Sequence, residues 1–324
     1  MALIYVTRAI PPVGIDMLRE AGHEVDVSEK DGVLTKEELH QAVSAKPYEA
    51  VLSLLTDTID GEFMDAVPTA KIIANYAVGY NNIDVSAATE RGVVITNTPG
   101  VLDDTVSEFA FSMMLAIAKR ISEADRFTRA GKYEGWAPQL LLGSDLQGKT
   151  LGIVGAGRIG SGVAKRAKFG LGMNVCYTDI KQSEKLEAEV PCQYHSTLHE
   201  LLKSADVISI HVPLLESTKH LFSTAEFAAM KDSAYLINTS RGPVVDEVAL
   251  VEALRNKTIR GAALDVFEDE PALKPGLSEL DNVILTPHIA SASQETRDKM
   301  SSMASQNIID FINGQTPANV VEVK

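Results

Sequence analysis

Apolar residues along this chain fall into short runs separated by stretches in which they recur at helical spacing. The runs at 3–7, 23–27, 50–54, 71–75 and 93–96 predict strands. Helices are expected between them at 12–20, 35–42, 60–66 and 84–91. The second of these helices opens Thr35-Lys36-Glu37-Glu38, a capping-box pattern in which hydroxyl and carboxylate satisfy each other's free N–H groups. Asn97-Thr98-Pro99-Gly100 is a turn cluster suited to a crossing between domains. Residues 105–129 read as one long apolar-rich helix, and 131–143 as a loop-like arm carrying Trp136. Alternation then resumes, with strands at 151–154, 173–178, 206–211, 234–239, 261–265 and 283–286, a helical segment at 291–313 and a short tail. Strands that are apolar on both sides and alternate with helices imply parallel sheets covered on both faces.

The first strand of the second half runs into Gly155-Ala156-Gly157-Arg158-Ile159-Gly160 and then an apolar helical stretch. Strand, glycine turn and helix form a dinucleotide fingerprint. Gly155 allows the tight turn, Gly157 lets bare backbone approach a pyrophosphate, and Gly160 lets helix and strand pack closely. The next strand ends in Asp179, about 20 residues past the last glycine, where a carboxylate meets an adenosine ribose. A glycine turn alone has a purely structural reading. The strand and acid that follow favour NAD.

Composition narrows the class. At 324 residues the chain fits two domains. Charged and hydrophobic fractions of 23% and 45% are those of an ordinary globular protein. A net charge of −14 disfavours nucleic acid and anionic membranes as partners, so an anionic substrate needs a local positive site. Two cysteines, Cys176 and Cys192, make neither a disulfide framework nor a metal cluster, and Cys176 is expected in the core. No apolar run is long enough to span a membrane, and the N-terminus reads as a strand, which together point to the cytoplasm.

Three polar residues follow late strands: Arg241, Glu270 and His288. Ligands of open parallel sheets bind outside the carboxyl ends of the strands, so the three converge beside a cofactor if the sheet is continuous. Delivering hydride to a ketone carbon leaves charge on its oxygen, and a proton donor must meet it. Histidine titrates near neutral pH and serves as that donor. A neighbouring carboxylate favours its imidazolium form. Arginine grips a carboxylate in bidentate fashion, or stabilises the developing oxyanion. Each also has a plain alternative: a solvated arginine, a solvated acidic turn over Glu268-Asp269-Glu270, and a core histidine.

These blocks are similar to those of the D-isomer-specific 2-hydroxyacid dehydrogenases. The resemblance spans nearly the whole chain, through Ala77–Asp84, GAGRIG, His211-Val212-Pro213, NTSRGPVVDE from Asn238, LDVFEDEP from Leu264 and TPHIAS around Pro287. Asn81 and Ser240 depart from the residues common there. The resemblance implies a flavodoxin-like substrate domain, residues 1–98 and 288–324, into which a Rossmann NAD-binding domain, 99–287, is inserted, with the active site in the cleft. It implies Arg241 as the substrate-binding and polarising group, His288 as acid and base, and Glu270 as its partner. Thr105, Gly155, Gly157, Arg158, Ile159, Gly160, Asp179, Val212, Pro213, Thr239 and Asp265 are the implied cofactor contacts. Leu54, Val78 and Gly79, the last two through backbone N–H groups, join Arg241 and His288 at the substrate. The Trp136 arm resembles that of the glyoxylate/hydroxypyruvate reductase branch, where it lies at a homodimer interface with the tryptophan reaching the neighbour's site; packing within its own subunit is the alternative. The implied activity is NADH-dependent reduction of a small 2-keto acid, with glyoxylate or hydroxypyruvate ahead of D-lactate-type and 2-ketogluconate substrates. An NAD-sensing corepressor is the non-enzymatic alternative. No metal is implied.

Overall fold

The computed structural model describes residues 1–322. The chain forms two compact units, one built from residues 1–102 with the segment from Ala292 onward, the other from Asp103–Ser291.

In the first unit, strands β1 (Leu3–Val6), β2 (Glu24–Val27), β3 (Ala50–Ser53), β4 (Ile72–Asn75) and β5 (Val94–Thr96) form a parallel sheet ordered β2-β1-β3-β4-β5. This is the flavodoxin-like order, as expected. The expected capping box is present at Thr35 and Glu38. Helices Pro12–Glu20 and Gln294–Ile312 cross closely enough for the Gly14 N–H to donate to Ser301 Oγ at 3.1 Å. The segment after the Gln294–Ile312 helix returns to the sheet edge. Val320 bridges Thr96 in antiparallel fashion, and the Val321 N–H donates to the Ile95 carbonyl at 2.8 Å.

The second unit holds seven parallel strands: β6 (Thr150–Val154), β7 (Asn174–Thr178), β8 (Gln193–Tyr194), β9 (Val207–Ile210), β10 (Tyr235–Asn238), β11 (Gly261–Leu264) and β12 (Val283–Leu285). Their order is β12-β11-β10-β9-β6-β7-β8, a Rossmann arrangement with the strand order reversing between β9 and β6. The runs are apolar throughout because both faces are buried. Leu151, Ile153, Val207, Tyr235, Ile237 and Ala263 pack under the Asp103–Ala118 helix with Met113 and Ile117. Val154, Ile208, Ile210, Leu236, Ala262 and Leu264 pack on the other side against Leu201, Phe222, Phe227 and Leu250.

Three expectations are corrected. The two-residue strand β8 adds a seventh strand to the expected six. The single long helix is two, Asp103–Ala118 and Ile121–Arg129, broken where Arg120 turns to φ 57° and grips Glu123 through two hydrogen bonds. The junctions lie slightly later than 98/99 and 287/288. Asp103 opens its helix paired to Arg158 at 2.7 Å. On the return, Asp265 holds residues 286–290, so His288 belongs to the unit of Asp103–Ser291. Among the described residues no helix is long and apolar enough to cross a membrane.

Candidate active site

Register brings the candidate residues of the second unit to one edge. Val154 pairs with Thr178 and Ile210, Ile210 with Asn238, Asn238 with Leu264, and Leu264 with Leu285. The residues that follow therefore leave the sheet along one line. Read across the strand order, that line carries His288, then Asp265 and Glu270, Thr239 and Arg241, Val212 and Pro213, the glycine turn, and Asp179.

At one end of the line, Glu270 Oε2 and His288 Nδ1 are 3.0 Å apart. Glu270 Oε1 also accepts the Phe267 N–H at 3.0 Å. Burial opposes ionisation of Glu270, but the hydrogen bond and charge of His288, the Phe267 N–H and the charge of Arg241 outweigh it and hold the carboxyl below its ordinary range. A carboxylate ionised at neutral pH holds the imidazole ring in place through this hydrogen bond. Arg241 is partly buried, and burial pushes its guanidinium down while Glu270 opposes that. Its turn is shaped by Asn238, whose Nδ2 donates to the Arg241 carbonyl at 3.0 Å and whose Oδ1 accepts the Ser240 N–H and hydroxyl.

His288 has φ 54°, in the left-handed region that non-glycine residues avoid. The buried Asp265 holds it there. Asp265 Oδ1 accepts from Thr286 Oγ1 at 2.6 Å and the Ile289 N–H at 2.9 Å, Oδ2 accepts the Ala290 N–H at 2.7 Å, and its carbonyl accepts the His288 N–H at 2.9 Å. Burial raises the Asp265 carboxyl despite these donors. The family resemblance counts Asp265 among the cofactor contacts; the loop contacts show its carboxylate holding the His288 segment. Glu247, absent from the sequence reading, does the same for the Glu270 loop. It is buried and accepts the N–H groups of Glu268 at 2.6 Å and Lys274 at 3.4 Å. The acidic turn is not solvated charge: Glu268 pairs with His220 at 2.7 Å and Asp269 with Lys274 at 2.6 Å.

The other end fits a dinucleotide. Gly155 turns at φ 97°, and a Cβ there would meet the His211 backbone at 2.8 Å. A Cβ on Gly160 would collide with the Gly155 carbonyl oxygen, which is the close packing expected of that position. Gly157 faces open space, nothing lying within 4 Å of a built Cβ, and it caps the Arg158–Lys165 helix beside Ile159. Open backbone at a helix N-terminus is where a pyrophosphate binds. Asp179 lies beside the turn and accepts the Ala156 N–H at 2.7 Å. Toward the middle of the line, Thr239 Oγ1 is buried with no hydrogen-bond partner among the described residues, a polar atom free to meet a ligand. Val212 and Pro213 follow His211, whose ring accepts or donates a 2.8 Å hydrogen bond with Ser209 and is pushed down to about 3 by burial, so it stays neutral. Thr105 lies in the first turn of the Asp103–Ala118 helix.

Leu54, Val78 and Gly79 belong to the first unit, past the ends of β3 and β4. The Leu54 N–H donates to the buried Asp57 at 2.8 Å, a contact the sequence did not suggest. The N–H groups of Val78 and Gly79 bond to no described residue, while their carbonyls accept from Asn97 Nδ2 at 2.8 Å and Asn75 Nδ2 at 3.0 Å. Trp136 is 84% exposed, which excludes burial within its own subunit.

The chain matches the family model for the D-isomer specific 2-hydroxyacid dehydrogenase, NAD binding domain, over residues 111–290. A glyoxylate reductase of Korarchaeum cryptofilum is 47% identical over 321 residues, covering 98% of this chain and 95% of its own. A solved protein of Thermus thermophilus superposes with a TM-score of 0.93 at 42% identity, over 99% of this chain and 100% of that one. An NADPH-dependent glyoxylate/hydroxypyruvate reductase of Sinorhizobium meliloti superposes at 0.86 with 33% identity, covering 99% and 98%. With a dinucleotide-binding edge of the right order and likeness over nearly its full length, the chain belongs to the D-isomer-specific 2-hydroxyacid dehydrogenases, NAD(P)-dependent oxidoreductases.

Proposed function

We propose that the protein reduces glyoxylate or hydroxypyruvate to glycolate or D-glycerate with NADH. The observation that carries the chemistry is the 3.0 Å pair of His288 and Glu270 on the same sheet edge as Arg241. Bound NADH supplies the hydride to C2. His288, steadied by Glu270, gives the carbonyl oxygen its proton, so that keto acid, hydride and proton balance as the hydroxy acid. Arg241 binds and polarises the substrate, and the N–H groups of Val78 and Gly79 take carboxylate oxygens. Leu54 bounds a small side chain. The substrate assignment is supported by relatives named glyoxylate reductase. Measuring kcat/KM for glyoxylate, hydroxypyruvate, pyruvate, phenylpyruvate and 2-ketogluconate with saturating NADH tests it. If pyruvate or a bulky keto acid wins by about tenfold, about 1.4 kcal/mol and within the 1–3 kcal/mol that one methylene decides, the substrate assignment falls.

NADH is preferred over NADPH in this reading, because Asp179 accepts ribose hydroxyls and repels a 2′-phosphate. Equal kcat/KM with the two cofactors defeats that preference. A homodimer completes the reading. The helix Ile121–Arg129 buries none of its residues, and Ile121, Tyr133, Trp136 and Leu142 stand exposed on one continuous stretch of chain. Such an apolar stretch fits a second copy, Trp136 approaching that copy's substrate. Sedimentation as a monomer at micromolar concentration removes the dimer. Two free cysteines, one buried, suit a reducing cytoplasm.

A further inference from the structure

A trans peptide is planar, so fixing a carbonyl fixes the N–H of the next residue to point the opposite way. The turn after β4 uses this twice, and both anchors come from the dipeptide after β5. The Thr98 N–H donates to the Ala77 carbonyl at 2.9 Å, which aims the Val78 N–H. Asn97 Nδ2 donates to the Val78 carbonyl at 2.8 Å, which aims the Gly79 N–H. Both aimed groups lack a partner among the described residues.

Asn97 is itself held by two more asparagines. Its N–H donates to the Asn319 carbonyl at 3.2 Å. Asn319 Nδ2 donates to Asn307 Oδ1 at 3.1 Å, and Asn307 Nδ2 donates back to the Asn97 carbonyl at 3.3 Å. The circuit closes on Asn97, and Asn307 is 2% exposed on the helix Gln294–Ile312. An amide serves here because it donates and accepts at once. A carboxylate in place of Asn97 would face the Val78 carbonyl oxygen with no proton to give.

We propose that Asn97, braced by Asn307 and by Asn319 of the C-terminal segment, is a positioning residue that aims the Gly79 N–H at the substrate carboxylate. The proposal rests on the keto-acid reading, in which the Val78 and Gly79 amides bind that carboxylate. Asn97 touches neither substrate nor cofactor in this role. It acts through one peptide plane, and the C-terminal segment acts through Asn97.

The test compares the full-length protein with Asn97→Ala, Asn97→Asp and Asn307→Asp. Asn307→Asp keeps the acceptor for Asn319 and loses only the donor to Asn97. In Asn97→Ala and Asn97→Asp the KM for glyoxylate should rise roughly tenfold, the scale of one hydrogen bond to a charged group, with kcat within about threefold. Asn307→Asp should shift KM the same way by a smaller factor. The dissociation constant for NADH should not move in any of them. Amide resonances give a readout independent of turnover. In the wild-type NADH complex, oxalate should shift the Val78 and Gly79 N–H signals; in Asn97→Ala the Gly79 shift should shrink and oxalate bind correspondingly more weakly. Unchanged KM and an unchanged Gly79 response in an otherwise active Asn97→Ala overturn the proposal. So does a fall in kcat, NADH affinity and melting temperature together, which marks a merely structural residue. A wild-type protein that binds oxalate at these amides yet reduces no keto acid sinks the functional reading instead and leaves the positioning role standing.

Discussion

Replacing Glu270 by glutamine removes a charge from beside His288 and keeps a side chain of the same shape that still accepts a hydrogen bond. At the 3.0 Å separation of Nδ1 and Oε2, Coulomb attraction between unit charges is about 1.4 kcal/mol in water and about 5.5 kcal/mol at an effective dielectric constant of 20. The His288 and Glu270 side chains are 27% and 33% exposed, so solvent screens the pair and the lower half of that range applies, about 1.5–3 kcal/mol. At 1.36 kcal/mol per factor of ten in rate, losing that attraction at the proton-transfer transition state costs about 10–150-fold. In Glu270→Gln kcat/KM for keto-acid reduction should therefore fall by that factor. Hydroxy-acid oxidation passes through the same transition state in reverse, so its kcat/KM should fall by the same factor. The assay is kcat/KM in each direction at saturating cofactor. A loss below about threefold in both directions would refute the charge pairing, and a loss in one direction alone would refute the shared proton.

Three further outcomes follow from the same geometry. Asp265→Ala strips acceptors from Thr286, Ile289 and Ala290; it should cost about 2–4 kcal/mol of stability in denaturant titrations and lower kcat about 100-fold as His288 leaves its left-handed position. Gly157→Ala should leave the melting temperature of the cofactor-free protein unchanged and weaken NADH binding about tenfold or more, whereas Gly160→Ala should cost about 1–3 kcal/mol before any ligand is added, because only the second Cβ collides with the chain. Burial opposes ionisation of Asp206, but the Thr150 N–H and Lys231 outweigh it and hold the carboxyl below its ordinary range. A depressed carboxyl stabilises the fold above its unfolded pKa and loses that contribution as pH falls through the folded value. The melting temperature of wild type should thus drop on acidification, and Asp206→Asn should flatten the drop; an identical slope in both would dismiss the linkage.

The strands were legible because two-sided burial leaves a plain mark, an apolar run bounded by turns. What escaped carries no such mark. Strand β8 is two residues at the edge of its sheet. The break at Arg120 has neither glycine nor proline to announce it, and the left-handed arginine makes a bidentate grip on Glu123. The tail at Val320–Val321 pairs with β5 over a single bridge and one ladder bond, too short to print a period on the sequence.

The site divides along the same line. In the proposed reaction Arg241, Glu270 and His288 act through their own side-chain chemistry, and each follows a strand, so residue type and position together expose them. Asp265, Glu247, Asp57 and Asn97 act on main-chain groups: the N–H groups of Ile289 and Ala290, of Glu268 and Lys274, of Leu54, and the carbonyl of Val78. A peptide group looks alike wherever it occurs, so nothing local in sequence tells which one a carboxylate or amide will meet. Separation adds to this, since Asn307 meets the Asn97 carbonyl across 210 positions. Burial supplies the missing criterion. Asp265, Glu247 and Asp57 all have their carboxyls raised by desolvation and yet accept two or more hydrogen bonds. Such a group is costly to keep unless the backbone it ties must hold one shape. Here the tied segments are those that carry His288 and Glu270 in one unit and Leu54 in the other, so the buried acids mark the places where each unit spends stability to fix the backbone beside its candidate residues.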